Sequence, residues 1–310
     1  MLPLTADFIF SLLPARRADA HKGSFGAVLA VAGSMAYRGA AALCVEGALR
    51  GGAGLVYLAA IEPVVQLVLA RTPECCACGC RTGADGCILP KDAAALCGWA
   101  ADKHPVLLAG PGLGDGAGPV VTALLKGDWR GVVLDADALN ALAAGRVRGR
   151  VPPCAVLTPH PGEAARLLNT TPAAVQADRE SAAAALAKQY GCTVVLKGAG
   201  TLIAAPEGVL YRNTTGNPGL ARGGSGDVLA GLLAALLAQG LAPADAAACA
   251  VWLHGAAADR CAARTSQMTM LPHDILTDLP AVLAKPEKER GEGRVRSEEW
   301  RENVRNAPGL

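Results

Sequence analysis

The sequence predicts an α/β fold of three layers, a mainly parallel sheet with helices on both faces. Three observations predict it. Short Val/Leu/Ile runs alternate with Ala-rich helical stretches along most of the chain. Several of those runs end in glycine or aspartate, where open α/β sheets place their ligands. The 310 residues are 52% hydrophobic, enough to bury one large core.

The elements follow in order. Residues 27–32 form a first strand ending at Gly33, and residues 40–50 a helix closed by Gly51 and Gly52. Residues 55–60 are a second strand. Residues 106–109 are a third, followed by the turn Gly110-Pro111-Gly112-Leu113-Gly114. A helix is expected over 118–126. The strand at 132–134 ends in Asp135 and Asp137, and the strand at 155–157 runs into Thr158-Pro159-His160-Pro161-Gly162-Glu163. Pro172 opens a helix expected to reach Gln189, with proline near the first position as helices favour. A strand at 193–196 ends at Lys197-Gly198. Residues 202–204 and 209–211 make a hairpin. A glycine-rich loop leads to an Ala/Leu helix from Asp227, and further helices cover 243–264 and 271–283. One domain over 21–284 is expected, after an N-terminal extension of residues 1–20. From Lys285 to Leu310 the chain is charged and poor in apolar residues, which predicts a disordered tail.

Charge and hydropathy exclude several classes. The formal net charge is only +2 and the charges are scattered, so no nucleic acid or acidic membrane surface is expected as a partner. The most apolar stretch, residues 228–238, is too short to span a bilayer. The N-terminus begins apolar and becomes basic at Arg16 and Arg17, the reverse of a signal peptide, so the cytoplasm is the expected location. Eleven cysteines, an odd number scattered through a chain of this size, argue against a disulfide framework. Cys75, Cys76, Cys78 and Cys80 crowd together, with Cys87 close behind. Structural zinc sites use two separated Cys-x-x-Cys pairs. Here the second pair and a nearby histidine are missing, so a surface loop between a strand and a helix is expected and no residue is assigned to metal.

The residues richest in chemistry are 213–227, ending in Gly223-Gly224-Ser225-Gly226-Asp227. Glycines let backbone N–H groups turn inward, and the next helix points its positive end at the same place. Gly223, Gly224, Ser225 and Gly226 thus form a candidate anion hole for a phosphoryl group in transit. Asp227 could serve only as a helix N-cap. Capping does not explain three glycines crowded before it, and a carboxylate beside an anion hole can take a proton from an attacking hydroxyl.

This segment resembles the ribokinase-like superfamily. The order of motifs narrows the resemblance to the ADP- or ATP-dependent NAD(P)H-hydrate dehydratases, from about His21 to Leu283. Those motifs are His21-Lys22-Gly23-Ser24-Phe25-Gly26, Gly39-Ala40-Ala41, Gly51-Gly52-Ala53-Gly54-Leu55-Val56 and Gly110-Pro111-Gly112-Leu113-Gly114. They continue with Asp135-Ala136-Asp137-Ala138-Leu139-Asn140, Thr158-Pro159-His160-Pro161-Gly162-Glu163, Lys197-Gly198-Ala199-Gly200-Thr201 and residues 213–227. The resemblance implies that Asp227 is the general base and touches substrate. It implies that Lys197, Gly198, Ala199, Gly200, Thr201 and Gly226 hold the adenine nucleotide. Ala40, Gly112, Gly114 and His160 would contact the hydrated dinucleotide. On its residues alone, His160 could equally be a loop histidine satisfied locally, and Ala40 a helix-packing residue.

The activity implied is dehydration of the S epimer of hydrated NADH or NADPH, with ADP (possibly ATP) as co-substrate, Mg²⁺ as cofactor, and AMP and phosphate as products. A homotetramer is implied as well. The epimerase domain often fused in front of this family has no counterpart in the roughly twenty residues before His21, so a separate epimerase is the expected working partner. Leu220, Arg222 and Ser225 depart from the family's usual Met, Thr or Lys, and Thr, and leave the glycines and the aspartate intact.

Three alternatives remain at the level of sequence. A hydroxyethylthiazole- or hydroxymethylpyrimidine-type kinase would share the anion hole and base, although residues 135–140 and 158–163 match the dehydratases more closely. A nicotinamide-dependent dehydrogenase would use Gly112-x-Gly114-x-x-Ala117 and Asp135 as a dinucleotide fingerprint. Against it, residues 115–119 start a helix poorly, and residues 223–227 would go unused. A nucleotide sensor without catalysis would not need an intact Asp227.

Overall fold

The computed structural model describes residues 1–208 and 210–284. Val209, expected to open a hairpin strand, and the charged tail from Lys285 lie outside the described residues.

The strands are β1 (Leu2–Pro3), β2 (Ala27–Val31), β3 (Leu55–Ile61), β4 (Cys76–Cys80), β5 (Val106–Ala109), β6 (Gly131–Leu134), β7 (Ala155–Leu157), β8 (Thr193–Leu196), β9 (Leu202–Ala204) and β10 (Leu210–Arg212). They form one sheet in the order β1-β10-β9-β8-β7-β6-β5-β2-β3-β4. Every pairing is parallel except those of β9, which is antiparallel to both β8 and β10. Strands β5 to β8 are buried at every residue, which is why they read as unbroken apolar runs.

The helices are α1 (Ala6–Leu12), α2 (Arg38–Arg50), α3 (Glu62–Arg71), α4 (Pro90–Ala100), α5 (Ala117–Leu124), α6 (Asp137–Ala143), α7 (Pro161–Leu167), α8 (Pro172–Ala177), α9 (Arg179–Tyr190), α10 (Ser225–Ala238), α11 (Pro243–Arg264) and α12 (Pro272–Leu283). From β2 the chain steps outward through β3 to β4. It then returns to the other side of β2 and continues through β5, β6, β7 and β8. Right-handed crossovers therefore put α2 and α3 on one face and α4 to α9 on the other. Helix α10 joins the α2 face, packed on α2 and α11 and lying across β2, β5 and β6. The strand order reverses between β2 and β5, and the C-terminal ends of the parallel strands open a crevice there.

Helix α10 is buried along almost its whole length. It approaches α2 so closely that both contact positions are glycine. A Cβ on Gly47 would meet the Val228 carbonyl at 2.7 Å, and one on Gly231 would collide with the Cys44 carbonyl.

Four expectations change. The helix expected from Pro172 to Gln189 is two helices, broken at Asp178. That residue leaves helical geometry (φ −142°, ψ 79°), and its carboxylate caps α9 by accepting from the Ser181 N–H at 3.0 Å. The helix expected from Asp227 starts at Ser225, with Gly224 as its N-cap, so Asp227 stands in the first turn and caps nothing. The cysteine-rich stretch is an edge strand, not a loop: Cys76 to Cys80 pair with residues 57–61 of β3. The first residues, set apart as an extension, add β1 to the far edge of the sheet and pack α1 on α11, with Leu4 and Ile9 fully buried. Helices α3, α4, α6 and α7 went unread because each is short and begins among Pro, Asp or Glu, residues that also mark turns.

Gly231→Val should destabilise the fold by roughly 1–3 kcal/mol or more, because overpacking at a close helix contact forces α10 and α2 apart. Urea unfolding of the variant beside the wild type measures it, and an unchanged midpoint would refute close packing at this contact.

Candidate active site

The N-terminus of α10 projects into the crevice. Gly224 at its N-cap has φ 97°, a left-handed conformation that a side chain would resist. A Cβ there would also press on Leu43 of α2 at 2.6 Å. The Ser225 N–H donates to the Arg222 carbonyl at 3.3 Å. The N–H groups of Gly226 and Asp227 fall within the first turn, where no intrahelical acceptor exists, and they carry the positive end of the helix. Gly223 has open space around the position of a missing side chain. Gly226 does not: a Cβ there would lie 3.3 Å from Lys197 Nζ and 3.6 Å from Asp135 Oδ2.

Those two side chains are the centre of the site. Asp135 leaves the end of β6, and Lys197 leaves the end of β8. The ammonium donates to Asp135 Oδ1 at 2.7 Å, and Thr158 at the end of β7 donates to the same oxygen at 2.8 Å. Three neighbouring strands therefore converge on one carboxylate oxygen, with the Asp135 side chain only 2% exposed. Glu163 of α7 adds a second carboxylate 3.8 Å from the ammonium. Asp227 lies close enough to complete a ring of acids around one lysine.

The charges are coupled. Burial works against the Lys197 ammonium, but Asp135, Glu163 and Asp227 outweigh it and hold the group charged. Burial, then the negative charge of Asp135 and more weakly Asp137, push the Asp227 carboxyl up to about 7 against the pull of Lys197. Burial pushes Glu163 up to about 7 as well, opposed by Lys197. Asp227 is thus poised to exchange a proton near neutral pH beside a positively polarised helix end, as a general base requires.

The sequence-derived residues separate into two connected groups. One is Asp227, Gly226, Lys197, Asp135, Glu163 and His160. His160 is the N-cap of α7: Nδ1 accepts from the N–H groups of Gly162 (3.0 Å) and Glu163 (3.4 Å), while Glu163 Oε2 accepts from the His160 N–H at 2.8 Å. Capping uses one ring nitrogen and leaves Nε2, 3.4 Å from Glu163 Oε1, on a half-exposed edge. The other group is Gly112, Gly114 and Ala40. Gly112 (φ 64°) has no room for a Cβ, which would stand 3.1 Å from Ala40 Cβ and 2.8 Å from the Tyr37 carbonyl. The Gly114 N–H donates to Asp137 Oδ2 at 2.8 Å. Leu43, one helical turn beyond Ala40, touches Gly224 and links the two groups. Ala199, Gly200 and Thr201 continue the loop after Lys197, where Thr201 Oγ1 donates to the Gly198 carbonyl at 2.9 Å.

Most of the loop before the hole is fastened rather than free. Asn213 Nδ2 donates to the Thr215 carbonyl at 2.9 Å, and Thr215 Oγ1 to the Trp252 carbonyl at 2.9 Å. Asp259 of α11 accepts from the Gly216 N–H (2.8 Å) and from Asn217 Nδ2 (2.9 Å). Asp259 and the buried His254, which lies beside the Ser225 backbone, were not legible as site supports. Each looks like an ordinary residue of an amphipathic helix. Glu163 could have been found from its spacing after His160, which makes a capping box.

Among the described residues no group of three His, Cys, Asp or Glu side chains could by itself hold a metal ion. Mg²⁺ bound through phosphates and water needs only one or two carboxylates, and the crevice supplies that donor set. Asp135 Oδ2 faces the Gly226 position and Asp137 stands beside it in the charge network.

The raised carboxyl has a consequence for stability. A folded-state pKa of about 7, against 3.8 ordinarily, favours the fold fully below pH 4, and that contribution is lost as pH rises through 7. Asp227→Asn removes the buried charge, so at pH 8 the variant should be roughly 1–3 kcal/mol more stable than the wild type. The difference should vanish near pH 4. Denaturant titrations at both values check this, and a variant no more stable at pH 8 would mean that Asp227 is not electrostatically strained.

Known proteins carry the same framework. The family model described as NAD(P)H-hydrate dehydratase matches residues 28–281. The bifunctional NAD(P)H-hydrate repair enzyme Nnr of Moorella thermoacetica is 45% identical over 290 residues, 92% of this chain and 54% of that protein. The chain spans about half the length of the first curated relatives it matches. The ADP-dependent (S)-NAD(P)H-hydrate dehydratase of Neisseria meningitidis is 42% identical over 252 residues, 79% of this chain and 80% of that protein. Among solved structures, the ADP/ATP-dependent NAD(P)H-hydrate dehydratase of Bacillus subtilis, co-crystallised with ATP/Mg²⁺, aligns with a TM-score of 0.77 at 33% identity, covering 91% of this chain and 97% of that one. A ribokinase-like superfamily protein of Enterococcus faecalis aligns at 0.80 with 28% identity, covering 93% and 96%. The fold is ribokinase-like, and the chain belongs to the NAD(P)H-hydrate dehydratase family.

Proposed function

We propose that this protein dehydrates the S epimer of hydrated NADH and NADPH at the expense of ADP, releasing AMP and phosphate. The observation that carries the proposal is Asp227, raised to about 7 within the first turn of α10 and flanked by the Gly226 N–H and the Lys197 ammonium. Family membership supports the substrate. The name of the Neisseria relative supports ADP as donor, and the B. subtilis structure with ATP/Mg²⁺ keeps ATP as the second donor to test.

In the proposed reaction the hydroxyl on C6 of the damaged ring attacks the terminal phosphorus of ADP. Asp227 takes the hydroxyl proton as the new O–P bond forms, and the bond to the AMP oxygen breaks. The N–H groups at the start of α10 and the Lys197 ammonium stabilise charge on the phosphoryl oxygens. Mg²⁺, held by the phosphates with Asp135 and Asp137, would neutralise part of that charge. The ring nitrogen then pushes out phosphate with the C6–O bonding pair, loss of a C5 proton restores the ring double bond, and NADH or NADPH results. Gly226 and residues 197–201 hold the nucleotide. Ala40, Gly112, Gly114 and His160 face the dinucleotide, with His160 Nε2 as the polar contact. A cytoplasmic location and a homotetramer complete the proposal by resemblance to the family. No helix among the described residues is long and apolar enough to cross a membrane.

Incubating the protein with acid-hydrated NADH, Mg²⁺ and ADP or ATP should restore the dihydronicotinamide absorbance for the one epimer used. Asp227→Ala should lower the rate about a hundredfold or more while remaining folded. Since only the carboxylate can accept the proton, the wild-type rate should rise with pH through about 7. No recovery with either nucleotide would redirect the assignment to a small-molecule kinase of the same fold, and near-normal turnover by the variant would remove Asp227 as the base.

A further inference from the structure

A second set of charges lies beside the first, and the chemistry proposed above does not use it. Arg179, the first residue of α9, reaches under the end of β8. Its Nη2 donates to the carbonyls of Leu196 (3.1 Å) and Lys197 (3.3 Å), and its Nη1 to Gln176 Oε1 (2.9 Å). Arg212, the last residue of β10, approaches the same loop from the hairpin side. The two guanidiniums lie where side chains of the loop would otherwise stand. A Cβ on Gly198 would be 2.8 Å from Arg179 Nη1, and one on Gly200 would be 2.8 Å from Arg212 Nε. Both glycines therefore let a cation lie flat against the loop backbone, in addition to their positive φ.

The two arginines differ in what they have left to give. Arg179 spends its donors on the protein and so fixes the loop. Arg212 is exposed, and among the described residues its guanidinium donates to no protein group. Neither has a carboxylate within ion-pair distance among those residues, whereas Lys197 is neutralised by Asp135 and Glu163. Burial and then the charge of Arg212 lower the pKa of Arg179, so the two like charges feel each other. An unspent planar fork beside a second cation, with no counter-charge supplied by the chain, is suited to a phosphate.

The position says which phosphate. Lys197 faces Gly226 and the start of α10, where the group in transit would sit. Gly200 is three residues further along, at most about 10 Å of extended chain. We propose that Arg212, with Arg179 holding the loop beneath it, binds the phosphate that stays on the nucleoside when the terminal phosphoryl group leaves. Arg212 then sets the affinity for the nucleotide through the phosphate of the leaving group, and does not contact the group in transit. This inference rests on the proposal that residues 197–201 hold the nucleotide.

Calorimetric titration of the full chain with ADP, AMP and adenosine separates the possibilities. Arg212→Ala should weaken ADP and AMP about tenfold or more and leave adenosine unchanged. Arg212→Lys, which keeps the charge and loses the fork, should fall between. Arg71→Ala, an exposed arginine of α3 away from the loop, controls for net charge and should change nothing. In turnover, Arg212→Ala should raise the KM for ADP by a larger factor than it lowers kcat at saturation. Equal weakening of adenosine would overturn the assignment in favour of a guanidinium stacked on the base. Unchanged ADP binding by Arg212→Ala, with wild-type ADP binding intact, would overturn the role of Arg212 alone. Failure of the wild type to bind ADP at all would instead overturn the nucleotide-loop reading beneath it.

Discussion

The interaction on which the rest of the site depends is the buried pair between Lys197 and Asp135. One carboxylate oxygen receives both the ammonium at 2.7 Å and the Thr158 hydroxyl at 2.8 Å. It thereby ties together the ends of β6, β7 and β8. A buried pair of this kind is not an efficient way to stabilise a fold, because desolvation of both charges offsets most of their attraction. Its geometry points to another use. It keeps a positive charge fixed beside Gly226 while the surrounding carboxylates hold that lysine protonated.

The same cluster explains why Asp227 is poised. Three acids, Asp135, Glu163 and Asp227, share the charge of one lysine. Burial pushes two of them, Asp227 and Glu163, up to about 7. The helix end and Lys197 favour an anion at this spot, and the neighbouring carboxylates disfavour a second one. In the proposed reaction, the phosphate of a nucleotide would add negative charge on the side where N–H groups and the ammonium can absorb it. The carboxylate that takes up the proton in that reaction is one already strained by its neighbours.

Close packing delivers these groups. Helix α10 reaches the crevice along a path that only glycines at 47 and 231 leave open against α2. Its N-terminus is held in turn by α11, which bonds the preceding loop through Asp259 and the carbonyls of Val251 and Trp252. The polar residues of that loop include Asn213, Thr215 and Asn217. In the fold they hold the loop to the helix and leave the N–H groups at the start of α10 to face the crevice.

The sequence by itself determined the class of fold, the positions of the buried strands and the place of the glycine-rich turn before Asp227. These depend on local signals: continuous apolar runs, prolines that open helices, and glycines crowded before an aspartate. It also carried the family, because ordered motifs survive as a string. It left the break at Asp178 and the edge strand Cys76–Cys80 unread. The break rests on one Asp cap between two stretches of helix-forming residues, and an edge pairing is decided by which strand lies nearby. Only the tertiary structure decided that Asp135, Glu163 and Lys197, which follow β6, β7 and β8, meet at one end of the sheet. Only it placed Arg179 and Arg212 on the glycines of the neighbouring loop. Charge coupling falls off with distance in space, and separations of 62 residues in the chain carry no trace of a 2.7 Å contact.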